Sequence, residues 1–468
     1  MALPVAGSSD DAQHAAAVPA GARVPGARAA VGLLLAINLF NYIDRYVLAA
    51  VESKIADDLL PGDPNALAKM GTLATAFIVS YMVSAPIFGW LADRTSRWLL
   101  VGLGVTVWTL ASGASGLAVT FTMLLVTRLF VGIGEGGYGP AAPTLIADLY
   151  PVERRGSVLA WFYMAIPVGS ALGYVLGGGV AALADGWLSL EGWRWPFIAV
   201  VLPGLLLGVL CFRMREPPRG ASDGVAPPQR KAGVADYLAL ARIPSYVLAC
   251  IGMTAMTFAI GGIAFWMPRY ISEVRQAGSL AHVNLVFGAI TVVAGITATL
   301  LGGITGDRLR PRFPGSYFLV SGVGMLIACP AIVAMMYLPF PAAWVALFVA
   351  EFFLFFNTGP SNTILANVTQ PSVRATAFAL NIFFIHAFGD ALSPPVLGWI
   401  AGRYSWNLAI YVVVIAMVVA AAFWLWGVQY LGRDTLAVSH ASPATERPAS
   451  DAIPSVADAM SPPKPPEI

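Results

Sequence analysis

The chain has 468 residues, of which 58% are hydrophobic and 11% are charged, and its formal net charge is +2. A soluble domain carries about 25% charged residues, so most of this surface must face lipid rather than water. The small net charge excludes the basic field that binds nucleic acid, and no nucleic-acid partner is predicted. The three cysteines and four histidines are scattered, so neither a disulfide framework nor a metal site is expected.

The chain begins with a segment rich in Ala, Gly, Pro and Ser, which predicts a disordered cytoplasmic tail over residues 1–28. Twelve apolar segments follow, each long enough to cross a bilayer, for which ~20 residues are needed. They lie near residues 29–53, 69–91, 98–117, 120–148, 155–184, 193–213, 244–272, 283–306, 315–337, 341–368, 374–402 and 406–432. The remainder is polar and rich in proline, which predicts a second disordered cytoplasmic tail over 433–468.

The longest charged stretch between spans, residues 214–243, divides the spans six and six. It predicts a cytoplasmic linker between an N-terminal bundle over 29–213 and a C-terminal bundle over 244–432. Arginine and lysine concentrate in this linker and in the connections on the same side of the membrane, which places both termini in the cytoplasm. We therefore expect a multi-pass protein of the inner (plasma) membrane.

The first span contains Asp44 and Arg45, two charges at membrane depth. Burying such groups costs several kcal/mol, and they usually serve a pathway. Adjacent residues point about 100° apart on a helix, so each needs a partner on another helix. In one interpretation Asp44 exchanges a proton while Arg45 sets its proton affinity. In the other, the charges form a structural ion pair that orients the helix.

The fourth span contains Arg128 and Glu135, seven residues apart and therefore on one helix face, about 10 Å apart along the axis. Glycines surround Glu135 and allow a neighbouring helix to approach closely. Such crowding would exclude water from the carboxylate, the usual setting of a proton carrier. The alternative is a salt bridge from Glu135 to Arg128 or Arg45 that only locks the packing.

His386 and Asp390 stand four residues apart and share one face of the eleventh span. This pair is either a second titrating site or a structural hydrogen bond between polar groups of a buried helix. The sequence alone favours neither.

Several motifs recur between the halves at one constant offset, among them Gly139-Pro140 as Gly359-Pro360 and Gly169 as Gly389. Such a parallel repeat of six-helix halves is typical of the major facilitator architecture. Other motifs resemble that superfamily directly: the run from Gly89 to Arg97, the run Arg128-xxx-Gly132-xx-Glu135-Gly136, and the glycines Gly169, Gly173 and Gly177.

A more specific set resembles the Spinster family of lipid transporters, and the likeness covers about residues 31–430. It comprises residues 41–46, 85–89, 132–135, 142–149, 162–170 and 351–357, with His386-xx-Gly389-Asp390. The resemblance implies an all-α membrane protein with twelve transmembrane helices in two pseudo-symmetric six-helix bundles. It also links the acids of the first and fourth helices to protonation, and the arginine of the fourth to coupling.

The implied activity is proton-coupled secondary transport of an amphiphilic lipid, of the lysophospholipid or sphingoid-phosphate type, by alternating access. The alternative is a proton-driven exporter of drugs or organic anions. The superfamily comparison implies a central cavity, and the expected substrate-binding residues are Asn41, Tyr42, Arg45, Arg128, Tyr138, Glu351 and Asn357. We expect a monomer whose partners are a small amphiphilic substrate, protons and membrane lipids.

The superfamily resemblance also implies a gate at the cytoplasmic ends of the second and eighth helices. Its expected residues are Asp93, Arg94, Arg97, Asp307 and Arg308. Asp93 would meet the N-terminus of helix 11, near residues 372–376. In the other interpretation, these residues form an exposed turn whose charges contribute little to stability.

A channel is disfavoured because the chain has two unequal halves with buried acids and no filter. An enzyme is disfavoured because no serine elbow and no P-loop is present. No cofactor is expected.

Overall fold

The computed structural model describes residues 26–92, 94–150, 152–217, 238–369 and 374–441. These residues form twelve long helical segments and no strand. The first half contains α1 Ala27–Leu59, α2 Ala66–Ala92, α3 Arg97–Gly116, α4 Phe121–Leu149, α5 Val152–Leu183 and α6 Gly192–Phe212. The second half contains α7 Pro244–Val274, α8 Leu280–Leu309, α9 Ser316–Tyr337, α10 Ala342–Val368, α11 Ala377–Arg403 and α12 Trp406–Ala441.

Eleven of these helices are long and apolar enough to cross a membrane, counted over the described residues. The remaining one is α4, which spans 29 residues. It falls short because it carries Arg128, Glu135 and a run of glycines, which lower its mean hydropathy. The features that single out α4 as a functional helix also weaken its apolar signal.

Each half repeats the same packing scheme. In the first half α1 packs on α5, α2 on α4, and α3 on α6; in the second, α7 packs on α11, α8 on α10, and α9 on α12. The two halves meet where α5 packs on α8 and α2 packs on α11. The internal repeat predicted from the motifs is therefore present in the helix packing.

The last helix differs from its predicted length, because α12 continues past residue 432 to Ala441. Asp434, predicted to lie in a disordered tail, is buried and accepts a hydrogen bond from the backbone N–H of Ser245 at 3.0 Å. This bond satisfies a free N–H in the first turn of α7 and ties the end of α12 to it. The predicted tail over 1–28 and the linker over 214–243 lie largely outside the described residues.

Glycines set the distance between α1 and α5. A Cβ added at Gly169, Gly173 or Gly177 would lie 2.7–2.8 Å from atoms of α1. These three positions recur every fourth residue, so they form one stripe along α5 against which α1 lies. The stripe therefore lets α1 and α5 pack closely together.

The molecule has two faces, at opposite ends of the helices. The terminal face carries Ala27 and Ala441, and the distal face carries the α1–α2 turn around Asp63. The halves contact each other toward the distal face, where the hydroxyl of Thr75 on α2 donates to the carbonyl of Ala391 on α11 at 2.5 Å. In the terminal parts of the same two helices Trp90 and Phe383 are exposed. The described residues therefore form a structure that is closed on its distal face.

Candidate functional site

The first arginine of the predicted set forms a buried ion pair between two helices. Arg45 on α1 places both Nε and an Nη atom 2.7 Å from Oε2 of Glu135 on α4. The Glu135 side chain is fully buried, whereas that of Arg45 is 19% exposed. Of the two arginines considered as partners of Glu135, the structure selects Arg45.

The guanidinium of Arg45 also lies against three aromatic rings, at 5.0 Å from Tyr42, 4.8 Å from Phe77 and 5.3 Å from Tyr81. Cation–π contact of this kind contributes about 0.5–2 kcal/mol per ring, more where water is excluded. The rings therefore hold the cation in place even when Glu135 is neutral.

Asp44, the neighbour of Arg45, points to a different helix, as expected. Its Oδ1 atom accepts a hydrogen bond from Ser112 on α3, and its Oδ2 atom has no hydrogen-bond partner among the described residues. Of the described cations, Arg128 has the strongest electrostatic effect on the Asp44 carboxylate. Asp44 is 1% exposed, and among the described residues it is a buried acid that forms no salt bridge.

Arg128 is also buried, and one of its Nη atoms donates to the hydroxyl of Ser115 at 2.5 Å. Its guanidinium lies 5.2 Å from the ring of Phe197, and its Nε has no hydrogen-bond partner among the described residues. Arg128 therefore keeps one buried donor, Nε, without a partner among the described residues.

Glycines of α4 let a neighbouring helix approach closely next to Glu135, as predicted. A Cβ at Gly132 would lie 2.1 Å from the hydroxyl of Ser80, and one at Gly136 the same distance from that of Ser84. Both serines belong to α2. With α2 packed this closely, Glu135 is only 1% exposed. Its Oε1 atom and the Nδ2 atom of Asn41 meet no hydrogen-bond criterion with another described residue.

A cavity of about 140 Å³ lies beside this network, between the two halves. Tyr42, Arg45 and Arg128 line it from the first half, together with Tyr46 and Phe77. The second half contributes Gly261, Phe265, Asp390 and Pro394. The lining is mostly apolar, with cations on one wall and a carboxylate on the other.

Four of the predicted substrate-binding residues, Asn41, Tyr138, Glu351 and Asn357, are not among the residues that line this cavity, and their assignment stays a prediction. Tyr138 donates its hydroxyl to the carbonyl of Leu34 at 2.7 Å and packs inside the first half. Asn357 is fully buried and donates to the carbonyl of Leu354 at 2.5 Å. Glu351 is buried and faces Thr291 on α8. Helix position alone did not reveal these rotational orientations.

His386 and Asp390 form the predicted pair, with Nδ1 of the imidazole 3.1 Å from both carboxylate oxygens. They belong to a widened helical turn from His386 to Asp390, and the ring of Tyr81 lies 6.2 Å from that of His386. Asp390 also lines the cavity. The pair therefore stands where the halves meet.

The predicted gate residues are only partly described. Asp93 and its expected partner segment near 372–376 lie outside the residues whose side chains the structure describes. Arg94 is exposed and stacks over Trp90 at 4.1 Å, and Asp307 accepts from Tyr317 at 2.8 Å. Arg308 is exposed. Both of these contacts join residues of the same half, and the gate stays a prediction.

Arg97, also assigned to the gate, is buried and ties three helix ends of the first half together. It lies 2.5 Å from Asp148 at the end of α4 and 2.6 Å from Glu216 just after α6. Both partners belong to its own half. In this structure these ion pairs of Arg97 join helix ends within the first half and do not connect the two halves.

Sequence reasoning missed the ion pair that joins Glu52 on α1 to Arg269 on α7, with 3.1 Å between Oε2 and Nη1. It joins the halves near the distal face, where Asn284 also donates to the carbonyl of Ala50 at 2.8 Å. Both charges stand inside apolar spans, so the rule that singled out Asp44 and Glu135 could have found them.

Comparisons with known proteins agree with this architecture. The Major Facilitator Superfamily model matches residues 34–394. The chain is 37% identical to protein spinster homolog 3 of Danio rerio over 393 residues, which covers 80% of this chain and 77% of the relative. It is 36% identical to protein spinster homolog 1 of Homo sapiens over 397 residues, covering 81% and 73%.

Two solved structures show the same fold. A crystal structure described as a bacterial homolog of the human lysosomal transporter Spinster, inward-facing and occupied, matches with a TM-score of 0.78 at 23% identity, covering 88% of this chain and 99% of that one. A D-xylose–proton symporter matches with a TM-score of 0.67 at 18% identity, covering 84% and 96%. The chain is a membrane transporter that belongs to the Spinster family of the major facilitator superfamily.

Proposed function

We propose that the protein is a proton-coupled secondary transporter of amphiphilic lipids, of the lysophospholipid or sphingoid-phosphate type. The observation that carries this proposal is the pair of buried acids, Asp44 and Glu135, held beside two arginines at the wall of the cavity between the halves. Acids in this setting exchange protons with a pathway more often than they serve packing.

The cavity supports the substrate class through its size and chemistry. A volume of about 140 Å³ is below the usual 300–1,000 Å³ of a drug-sized site, so it suits a head group whose tail extends between the halves. Arg128 lines the cavity and has an unpartnered Nε among the described residues, which would suit a phosphate, and the aromatic lining would accept apolar groups. The names of the curated relatives give no substrate, so the lipid assignment is our proposal.

The halves would rock around this cavity in alternating access. Arginines on the terminal face, such as Arg94, Arg97 and Arg310, support a cytoplasmic location of that face. The described conformation, closed on the distal face, is then the inward-facing one. We propose a monomer in the inner (plasma) membrane with both termini in the cytoplasm.

The test is transport by purified protein in liposomes that carry a pH gradient. A fluorescent lysophospholipid is added outside, and lipid that remains outside is extracted with albumin. We expect the gradient to drive transport in the wild type and to have no effect in Glu135→Gln, which should still exchange lipid. Gradient-driven transport by Glu135→Gln would contradict coupling through this acid.

The alternative, a proton-driven exporter of drugs or organic anions, shares the same acid network. Competition separates the two. A lysophospholipid should compete with the labelled lipid, whereas an apolar organic anion without a phosphate should not. Equal competition by both would favour the exporter.

A further inference from the structure

Glu351 on α10 is a buried acid that the transport network around Asp44 does not use. It is 3% exposed, and its Oε2 atom has no hydrogen-bond partner among the described residues. Thr291 on α8 faces this carboxyl group and is buried as well. The carboxyl group and the hydroxyl group thus face each other in a buried interior.

The charges around Glu351 do not compensate it. Two titratable side chains of the first half, Tyr46 on α1 and Tyr174 on α5, interact electrostatically with the Glu351 carboxylate. Among the described residues, no arginine, lysine or histidine has an appreciable electrostatic effect on the Glu351 carboxylate. An isolated carboxylate in such surroundings is far costlier than a neutral carboxylic acid. A neutral acid can in addition donate its proton to the Thr291 hydroxyl.

The site also lies at the seam that must open and close. Thr291 stands on α8 between Gly288 and Gly295. A Cβ at Gly288 would lie 2.9 Å from the carbonyl of Ala171 on α5, and one at Gly295 would lie 3.2 Å from Pro167. That face of α8 is therefore the one that packs on α5. If the distal contact opened, α5 would move away from Thr291 and water would reach Glu351.

We propose that Glu351 is a second proton-binding site, in the C-terminal half, which holds its proton while the distal face is closed and releases it when that face opens. This inference rests on the proposed alternating access, but the protonation of Glu351 is measurable without transport. Its helices α8 and α10 belong to the second half, whereas Asp44 and Glu135 belong to the first. It would let the second half sense protons as well.

The first experiment is infrared difference spectroscopy of the full-length protein during a pH titration, in H₂O and D₂O. A protonated carboxylic acid gives a carbonyl band that shifts in D₂O. We expect Glu351→Gln to remove one such band, and the matched control Asp44→Asn with Glu135→Gln to retain it. Retention of every band in Glu351→Gln would overturn the proposal. Thr291→Val keeps the acid, so a shifted band in this variant identifies the site even if Glu351→Gln folds poorly.

The second experiment tests the dependence on conformation. A Cβ at Gly402 on α11 would lie 3.8 Å from the Cβ of Leu67 on α2, a distance suited to a disulfide. In a background without the three buried cysteines, Leu67→Cys with Gly402→Cys should lock the distal face closed when oxidised. We expect the Glu351 band to persist to higher pH, by one unit or more, in the oxidised protein than in the reduced protein. Identical titration in both states would overturn the link to distal closure.

The two proposals fail separately. If transport by Glu135→Gln still follows a pH gradient, coupling through the first-half acid is wrong while the Glu351 band is untouched. If the band is absent but transport is proton-driven, only the second site is wrong.

Discussion

Arg269 on α7 bridges two glutamates, Glu52 in the other half at 3.1 Å and Glu273 on its own helix at 2.8 Å. The Glu52 side chain is 1% exposed and that of Glu273 is 42% exposed. The same guanidinium therefore makes one buried contact across the halves and one surface contact within a half. The contact with Glu52 can therefore be tested by mutation, and the contact of the same arginine with Glu273 serves as the control.

We expect Glu52→Gln to weaken closure of the distal face, because a neutral amide attracts Arg269 less than a buried carboxylate does. A loss of about 1.4 kcal/mol would change the ratio of open to closed states tenfold. Distances between spin labels at Asp57→Cys and Leu408→Cys, in a background without the native cysteines, report this opening. Glu273→Gln, which removes only the exposed partner, should leave the distances unchanged. If both variants behave alike, the contact between the halves has no special role.

Protonation of the first-half acids should decide which conformation is preferred. In the wild type we expect the same label distances to differ between acid and neutral pH, because the charge of Asp44 and Glu135 changes while the halves rearrange. A difference of one pH unit in proton affinity between two conformations corresponds to about 1.4 kcal/mol. Asp44→Asn combined with Glu135→Gln should remove most of this response. An unchanged response would mean that other groups carry it.

Arg128 should select the head group of the substrate. Its donors are partly free, and a guanidinium matches a phosphate better than an ammonium does. Arg128→Lys should therefore weaken binding of a phosphorylated lipid by about tenfold more than binding of its neutral analogue, or ~1.4 kcal/mol. The measurement is a substrate-dependent thermal shift with the two lipids.

The control for this prediction is Arg45→Lys. Arg45 is held by Glu135 through two nitrogens, so its replacement should affect both lipids alike. Equal losses for both lipids in Arg128→Lys would show that Arg128 serves the acid network and not the head group. Binding of neither lipid by the wild type would favour the drug-exporter alternative.

The glycine stripe of α5 allows a stability test within one helix. A Cβ at Gly173 would lie 2.7 Å from the carbonyl of Ile43 and from the Cβ of Tyr46, whereas a Cβ at Gly179 would have no neighbour within 4 Å. Gly173→Ala should destabilise the protein by about 1–3 kcal/mol through overpacking. Gly179→Ala should be neutral or stabilise it by up to about 1 kcal/mol. Thermal unfolding in detergent compares the two, and equal midpoints would show that α1 and α5 separate easily.

Much of this protein is determined by its sequence. The apolar segments mark the spans because each one must bury its backbone in lipid, and the repeated motifs mark the two halves. The exceptional residues inside the spans, such as Asp44 and Glu135, are visible for the same reason, since a charge stands out against an apolar background. The Spinster motifs identify the family, which the comparisons confirm.

The tertiary structure decided how these groups combine. Glu135 pairs with Arg45, 90 residues away, and not with Arg128 on its own helix, because the glycines of α4 let other helices approach and because rotation about the helix axis sets which side chains meet. The same holds for Glu52 and Arg269, 217 residues apart, and for Glu351, which is buried and faces Thr291 on α8. Hydropathy reports the depth of a residue in the membrane but not the rotation of its helix, and partners inside a bundle depend on that rotation.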